Sequence, residues 1–91
     1  GKDSAAKVEV KVEKKREAND PILGEYSRLK EKSREVAGML TSEIRDLLTE
    51  ITAFKNKLSR DSKLFFEYGQ EFNHAREIAE TVEAALRSRS Q

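Results

Sequence analysis

From Ile22 to Leu58 the chain repeats a single spacing: Ile22, Tyr26, Leu29, Ser33, Val36, Leu40, Ile44, Leu47, Ile51, Phe54 and Leu58 follow one another at intervals of three or four. The stripe covers 36 residues in ten steps, which is the 3.6-residue period of a straight α-helix. A β-strand cannot hold such a stripe on one face, because its side chains alternate sides every two residues. The expected fold is therefore all-α, made of long amphipathic helices that hide one face in a coiled coil or helical bundle. Beyond Leu40 the spacing becomes a strict heptad. With Ala37 at a, the a positions are Ile44, Ile51, Leu58, Phe65, Phe72, Ala79 and Leu86, and the d positions are Leu40, Leu47, Phe54, Tyr68, Ala75 and Val82. Asp61 alone interrupts the seam.

Two places invite a break, at 38–41 and at 59–62. Glycine within a helix costs about 1 kcal/mol relative to alanine and often stands just past a helix end, so Gly38 could close one helix and Thr41 or Ser42 open the next. Against this, Met39 and Leu40 would be apolar loop residues, and no acid stands three places after Thr41 or Ser42 to complete a capping box. Ser59, Asp61 and Ser62 also favour caps and turns over helix interiors, and Asp61 could cap a helix starting near Lys63. Heptad phase nevertheless continues through "LSRDSKLFF", a coincidence of about one in seven if two separate helices meet there. The expectation is continuity at Gly38, whereas at 59–62 a hairpin that folds the chain back stays open beside one continuous helix. The structural alternative is a compact three-helix bundle with helices near 21–37, 41–59 and 62–87.

The helical region, 21–88, opens at "NDPIL", where Asp20 is a good N-cap and Pro21 suits the first helical position. Before it, residues 1–20 form an extended or disordered segment. Within it "KVEVKVE" alternates valine with charge over 7–13: as a helix it would stack like charges four residues apart, and as a strand it sorts Val8, Val10 and Val12 onto one face. A lone strand of this length must pair or remain mobile. Residues 89–91 are expected to fray.

Charge and residue types then exclude whole classes of function. Eighteen basic residues against seventeen acidic ones leave a net charge of +1, so no overall field gathers phosphate or anionic lipid. Without cysteine there is no disulfide, zinc-thiolate site or thiol catalysis. No apolar run approaches the ~18 residues of a membrane span, and the opening residues do not resemble the charged-then-apolar pattern of a secretory signal. An intracellular, cytoplasmic location is expected, and Gly1 in place of Met fits a piece of a longer protein.

Candidate chemistry is sparse. His74 is the only histidine, and Glu71 precedes it at the Glu-x-x-His spacing of carboxylate metal bundles. The heptad count puts His74 at c, on the outer face, so it is expected at the surface with no metal and no cofactor. Tyr26 and Tyr68 lie on the apolar stripe as packing residues. No Gly-rich loop and no nucleophile–base pair is present, so no enzymatic activity is expected. A strand at 7–13 followed by helices, one opening at "TSEIRDLLTE", resembles the ribbon-helix-helix DNA-binding family over Lys7 to Ile51. The resemblance implies DNA binding through a paired strand. Lys14 to Asp20 lengthen the link to the first helix, however, and Glu9 and Glu13 would face phosphate, so nucleic acid is not the expected partner.

The expected function is protein–protein interaction: an oligomerisation, adaptor or assembly segment that packs helix on helix, against itself or another helical protein. The alternative bundle would present a groove to a partner peptide. The narrow seam that should carry contacts is Leu40, Ile44, Leu47, Ile51, Phe54 and Leu58. After Asp61 the apolar arc widens to Leu64, Phe65, Phe66, Tyr68 and Phe72, and continues to Val82 and Leu86. Phe66, at b, is the most telling, because a two-stranded seam would leave it wet.

Overall fold

The computed structural model describes residues 19–90. Helix α1 spans Pro21–Ser33, a one-turn 3-10 helix spans Val36–Gly38, and α2, α3 and α4 span Thr41–Arg60, Ser62–Glu67 and Gly69–Ser90. The fold is all-α, and no strand occurs among the described residues. The strand at 7–13, and with it the family resemblance built on that strand, lies outside the described residues.

Three long helices form an up-down-up bundle, and α3 is the corner between the second and the third. Lys57 reaches Glu25 at 2.6 Å and Arg28 reaches Glu50 at 3.4 Å, so α1 and α2 are antiparallel. Tyr68, just before α4, donates its hydroxyl to Asp20 just before α1. At the other end Arg89 meets the 3-10 turn that follows α1. α4 therefore runs parallel to α1 and antiparallel to α2.

The core is one cluster. Ile44, Leu47, Ile51, Phe54 and Leu58 of α2 meet Leu23 and Leu29 of α1, Val36 of the turn, Tyr68 between α3 and α4, and Ala75, Ile78, Ala79 and Val82 of α4. A large apolar side chain fully removed from water contributes about 1.5–3 kcal/mol, so α2, with its whole stripe buried, is the central beam of the fold. Asp20 caps α1 as its sequence indicated: its carboxylate accepts from the backbone N–H groups of Ile22 at 2.9 Å and Leu23 at 3.4 Å, with Pro21 in the first helical turn.

Continuity through Gly38 is overturned. The chain leaves α-geometry after Ser33, whose hydroxyl donates back to the Lys30 carbonyl at 2.7 Å, and passes through i to i+3 hydrogen bonds at Arg34, Glu35, Gly38 and Met39. The next helix is capped from one residue earlier than expected. Leu40 occupies the N-cap position, and its backbone N–H donates to the Glu43 carboxylate at 2.9 Å. The acid absent from the Thr41 and Ser42 frames is present in the Leu40 frame, and Leu40 is the apolar loop residue that seemed to argue against a break.

At Asp61 the chain turns, and of the two courses the sequence left open it takes the hairpin. Asp61 has extended backbone angles, ends α2 and caps α3, its carboxylate accepting from Lys63 N–H at 2.9 Å and Leu64 N–H at 3.3 Å. A second bend at Tyr68 completes the reversal. The heptad phase survives because α2 and α4 bury their stripes against the same core from opposite directions, not because one helix carries both.

Candidate partner-docking site

The interface residues expected from the sequence divide sharply. Ile44, Leu47, Ile51, Phe54, Leu58, Tyr68 and Val82 are buried within the chain's own bundle, so in this structure the partner of the seam is the chain itself. Leu64, Phe72 and Leu86 are half-buried against that core. Leu40, Phe65 and Phe66 remain exposed, at 68%, 46% and 92%.

Two of these three mark the corner. α3 has six residues, none of them buried. Leu64 leans on the core, and Phe65 packs edge-on against Phe72 with ring centroids 5.1 Å apart. Tyr68 turns inward to Asp20, whereas Phe66, two residues earlier and about 200° away around the helix, projects outward. Lys63 lies one turn before Phe66 on the same face, and exposed Asp61 and Glu67 stand in the same short segment, so the corner carries both signs of charge.

A second feature lies at the opposite end of α2. A cleft of about 500 Å³ opens between the end of α1, the 3-10 turn and the start of α2. Met39 and Leu47 supply its apolar lining, and Glu35, Glu43, Asp46 and Glu50 surround it with a single base, Lys32. The exposed Leu40 adjoins it in sequence. This cleft escaped the reading of the sequence, yet its signal was there: Glu43, Asp46 and Glu50 are spaced i, i+3, i+7 and so share one helix face.

His74 is the clearest misplacement. Far from the outer face, it is half-buried, its Nδ1 hydrogen-bonded to the Tyr26 hydroxyl and its ring edge-on to that of Tyr26 with centroids 5.5 Å apart. α4 packs against both α1 and α2, so its inward arc is wider than a two-stranded heptad allows and takes in position c. Lys30 lies over the Tyr26 ring at 5.2 Å, which leaves the pair packed between helices with a cation above it. Among the described residues no three His, Asp or Glu side chains converge to hold a metal ion, and no helix is long and apolar enough to cross a membrane.

Arg89 also departs from expectation. Placed by the sequence in a fraying end, it belongs to α4 and donates to the carbonyls of Met39 at 2.8 Å, Ala37 at 3.1 Å and Val36 at 3.4 Å. One guanidinium thereby bonds the carbonyls at the end of the 3-10 turn, adding a second donor to Val36, whose carbonyl also accepts from Met39 N–H at 3.1 Å.

These features define a helical bundle with an exposed aromatic corner and an acidic cleft at its other end. Comparison with protein families, with characterised proteins and with solved structures gives no match to this chain.

Proposed function

We propose that this chain is a non-enzymatic protein-interaction module: a three-helix scaffold that holds the Phe65–Phe66 corner out for a partner protein. The observation that carries the reading is Phe66, a large apolar side chain 92% exposed beside the half-exposed Phe65. A single surface phenylalanine is unremarkable on its own, but an aromatic pair on a capped corner is the form that interface anchors take, because rings lose little conformational freedom on docking. The scaffold supports this role. Asp61 fixes the start of α3, and Phe72 braces Phe65, so the corner is held in place before any partner arrives.

The test is site-specific photocrosslinking in an extract of the native cells, with a photoreactive phenylalanine analogue at position 66 and, as control, at the exposed position Thr52. Adducts should form from position 66, should be competed away by excess protein of natural sequence, and should resist competition by the Phe66→Asp variant. Equal yields from the two positions, or competition by Phe66→Asp, would overturn the reading.

A further inference from the structure

We propose that the turn at Asp61 is a hinge, and that this chain has a second arrangement in which α2, α3 and α4 straighten into one helix and two chains exchange α4 to rebuild the same bundle. The hinge is narrow. Between Thr41 and Ser90 only Asp61 and Tyr68 leave helical backbone angles. Helical bonding passes through Tyr68, whose N–H donates to the Leu64 carbonyl at 2.8 Å and whose carbonyl accepts from Phe72 N–H at 2.9 Å. Asp61 alone interrupts it. Its carboxylate takes the N–H groups of Lys63 and Leu64, which an uninterrupted helix would give to the carbonyls of Ser59 and Arg60.

Register carries the inference. In the closed bundle α2 and α4 each need an apolar stripe, and the turn between them permits any count from one to the other. The exchanged form is stricter. Two long helices there lie antiparallel, α2 of one against α4 of the other, so both stripes must fall on one face of one rod. The heptad count that runs from Ile44 through Leu58 to Phe72 and Val82 puts them there. The remaining contacts are regained, which makes exchange a low-cost route to a dimer. α1 stays on α2 of its own chain through Lys57 with Glu25 and Arg28 with Glu50, and its bonds from Tyr26 to His74 and from Asp20 to Tyr68 pass to the other chain.

Exchange also covers what the turn leaves bare. Phe65 stands at a yet is 46% exposed, and no residue of α3 is buried. Arg89 sits on the Ala37 carbonyl, so the pairing of α2 with α4 centres near Lys63, midway between them in the chain. Across that centre Phe65 of one chain comes opposite Asp61 of the other. Burying a carboxylate beside a ring is costly, so Asp61 holds the balance on the closed side at low concentration.

The test is to unfold the full chain in urea, refold it at about 10 μM and at about 1 mM, and size the products by sedimentation. The dilute sample should be monomeric and the concentrated one should contain a discrete dimer. That dimer should outlast dilution, because return requires α2 and α4 to part. Spin labels at Arg45→Cys and Glu80→Cys, both exposed in a chain without cysteine, then report the arrangement of one labelled chain refolded with excess unlabelled protein. They should lie within about 25 Å in the monomer and about 50 Å apart in the dimer. Asp61→Leu should raise the dimer fraction at least about tenfold. An alanine inserted between Arg60 and Asp61 keeps the cap but rotates the two stripes about 100° out of register, so it should leave a helical monomer and no dimer.

Natural-sequence protein that refolds only to monomer at about 1 mM would overturn the hinge. So would a dimer whose labels stay within about 25 Å, which would mark two closed copies docked together. A dimer that survives the insertion would overturn it too, and these three readouts decide the matter even if Asp61→Leu aggregates. Phe66 lies at b, outside the seam in both arrangements, so none of these results bears on the crosslinking test.

Discussion

Phe54 and Phe66 are the same side chain, one turn-rich dozen residues apart, yet Phe54 is 0% exposed and Phe66 is 92% exposed. The difference lies in what stands opposite each. Phe54 belongs to a helix of 20 residues flanked by α1 on one side and α4 on the other. Phe66 belongs to a helix of six residues that has already turned at Asp61, and no other described element packs on its outer face. Hydrophobicity alone therefore does not assign a residue to the core; a neighbour of sufficient length must be present to cover it. The result is a division in which α2 is buried on its whole stripe and the corner is left exposed.

The largest effect should come from emptying the beam. Phe54→Ala removes a ring packed near Tyr26, with centroids 6.5 Å apart, and should cost about 3–5 kcal/mol. Against a typical stability of about 5–15 kcal/mol, that would bring the bundle close to unfolding, as a fall in the urea midpoint would show. A loss under about 1 kcal/mol would mean that α2 is not the central beam, and the contrast with the corner would collapse.

Next in size is Asp20→Ala, expected to cost about 1–2 kcal/mol. Asp20 caps α1 and takes the Tyr68 hydroxyl, so it ties the start of one helix to the bend that precedes another. Its loss and that of Tyr68→Phe should be less than additive in denaturant titrations, since both remove one shared bond. Full additivity would show that the two groups act independently.

How much of this could be read in advance follows from which signals are local. Asp20 and Pro21 were legible because a cap and its helix lie within four residues of each other. The stripe from Ile44 to Leu58 was legible because a helix that packs at all must bury one periodic face. The breaks were harder. At Leu40 the decisive acid, Glu43, makes only the reciprocal half of a capping box, because leucine has no side-chain oxygen to make the other half, so a search starting from Thr41 or Ser42 passes over it. At Asp61 the cap was visible, but preserved heptad phase stood against it and left the turn open, because phase cannot distinguish one long helix from two that share a core. His74 and Arg89 depend on contacts 48 and 50 or more residues away, which no local pattern encodes.

Arg89→Ala should cost about 1 kcal/mol, with faster amide exchange concentrated at 34–40, because the guanidinium bridges three carbonyls of that connection. Uniformly faster exchange would mean that the arginine serves the bundle as a whole. Gly38→Ala, in the same connection, should change stability in the opposite direction by about 0.4–1 kcal/mol. Gly38 does not have positive φ, and nothing lies within 4 Å of where a Cβ would be, so the break does not need a glycine. Destabilisation on this substitution would return the break to Gly38 and away from the Leu40–Glu43 cap.

The smallest effect on stability should be the most informative. Phe66→Ser removes a side chain that the folded bundle leaves almost wholly in water, so its thermal unfolding should match the natural sequence within about 0.5 kcal/mol. Solubility should improve as an exposed ring is lost. The same change should abolish the competed crosslink if the proposed docking needs the ring that folding does not. If Phe66→Ser instead destabilised the isolated chain as Phe54→Ala does, Phe66 would have to be covered from within the molecule, and the corner would be a piece of core. Equal stability with a lost crosslink would place the two phenylalanines on separate links of the chain from sequence to function, one setting the fold and the other what the fold presents.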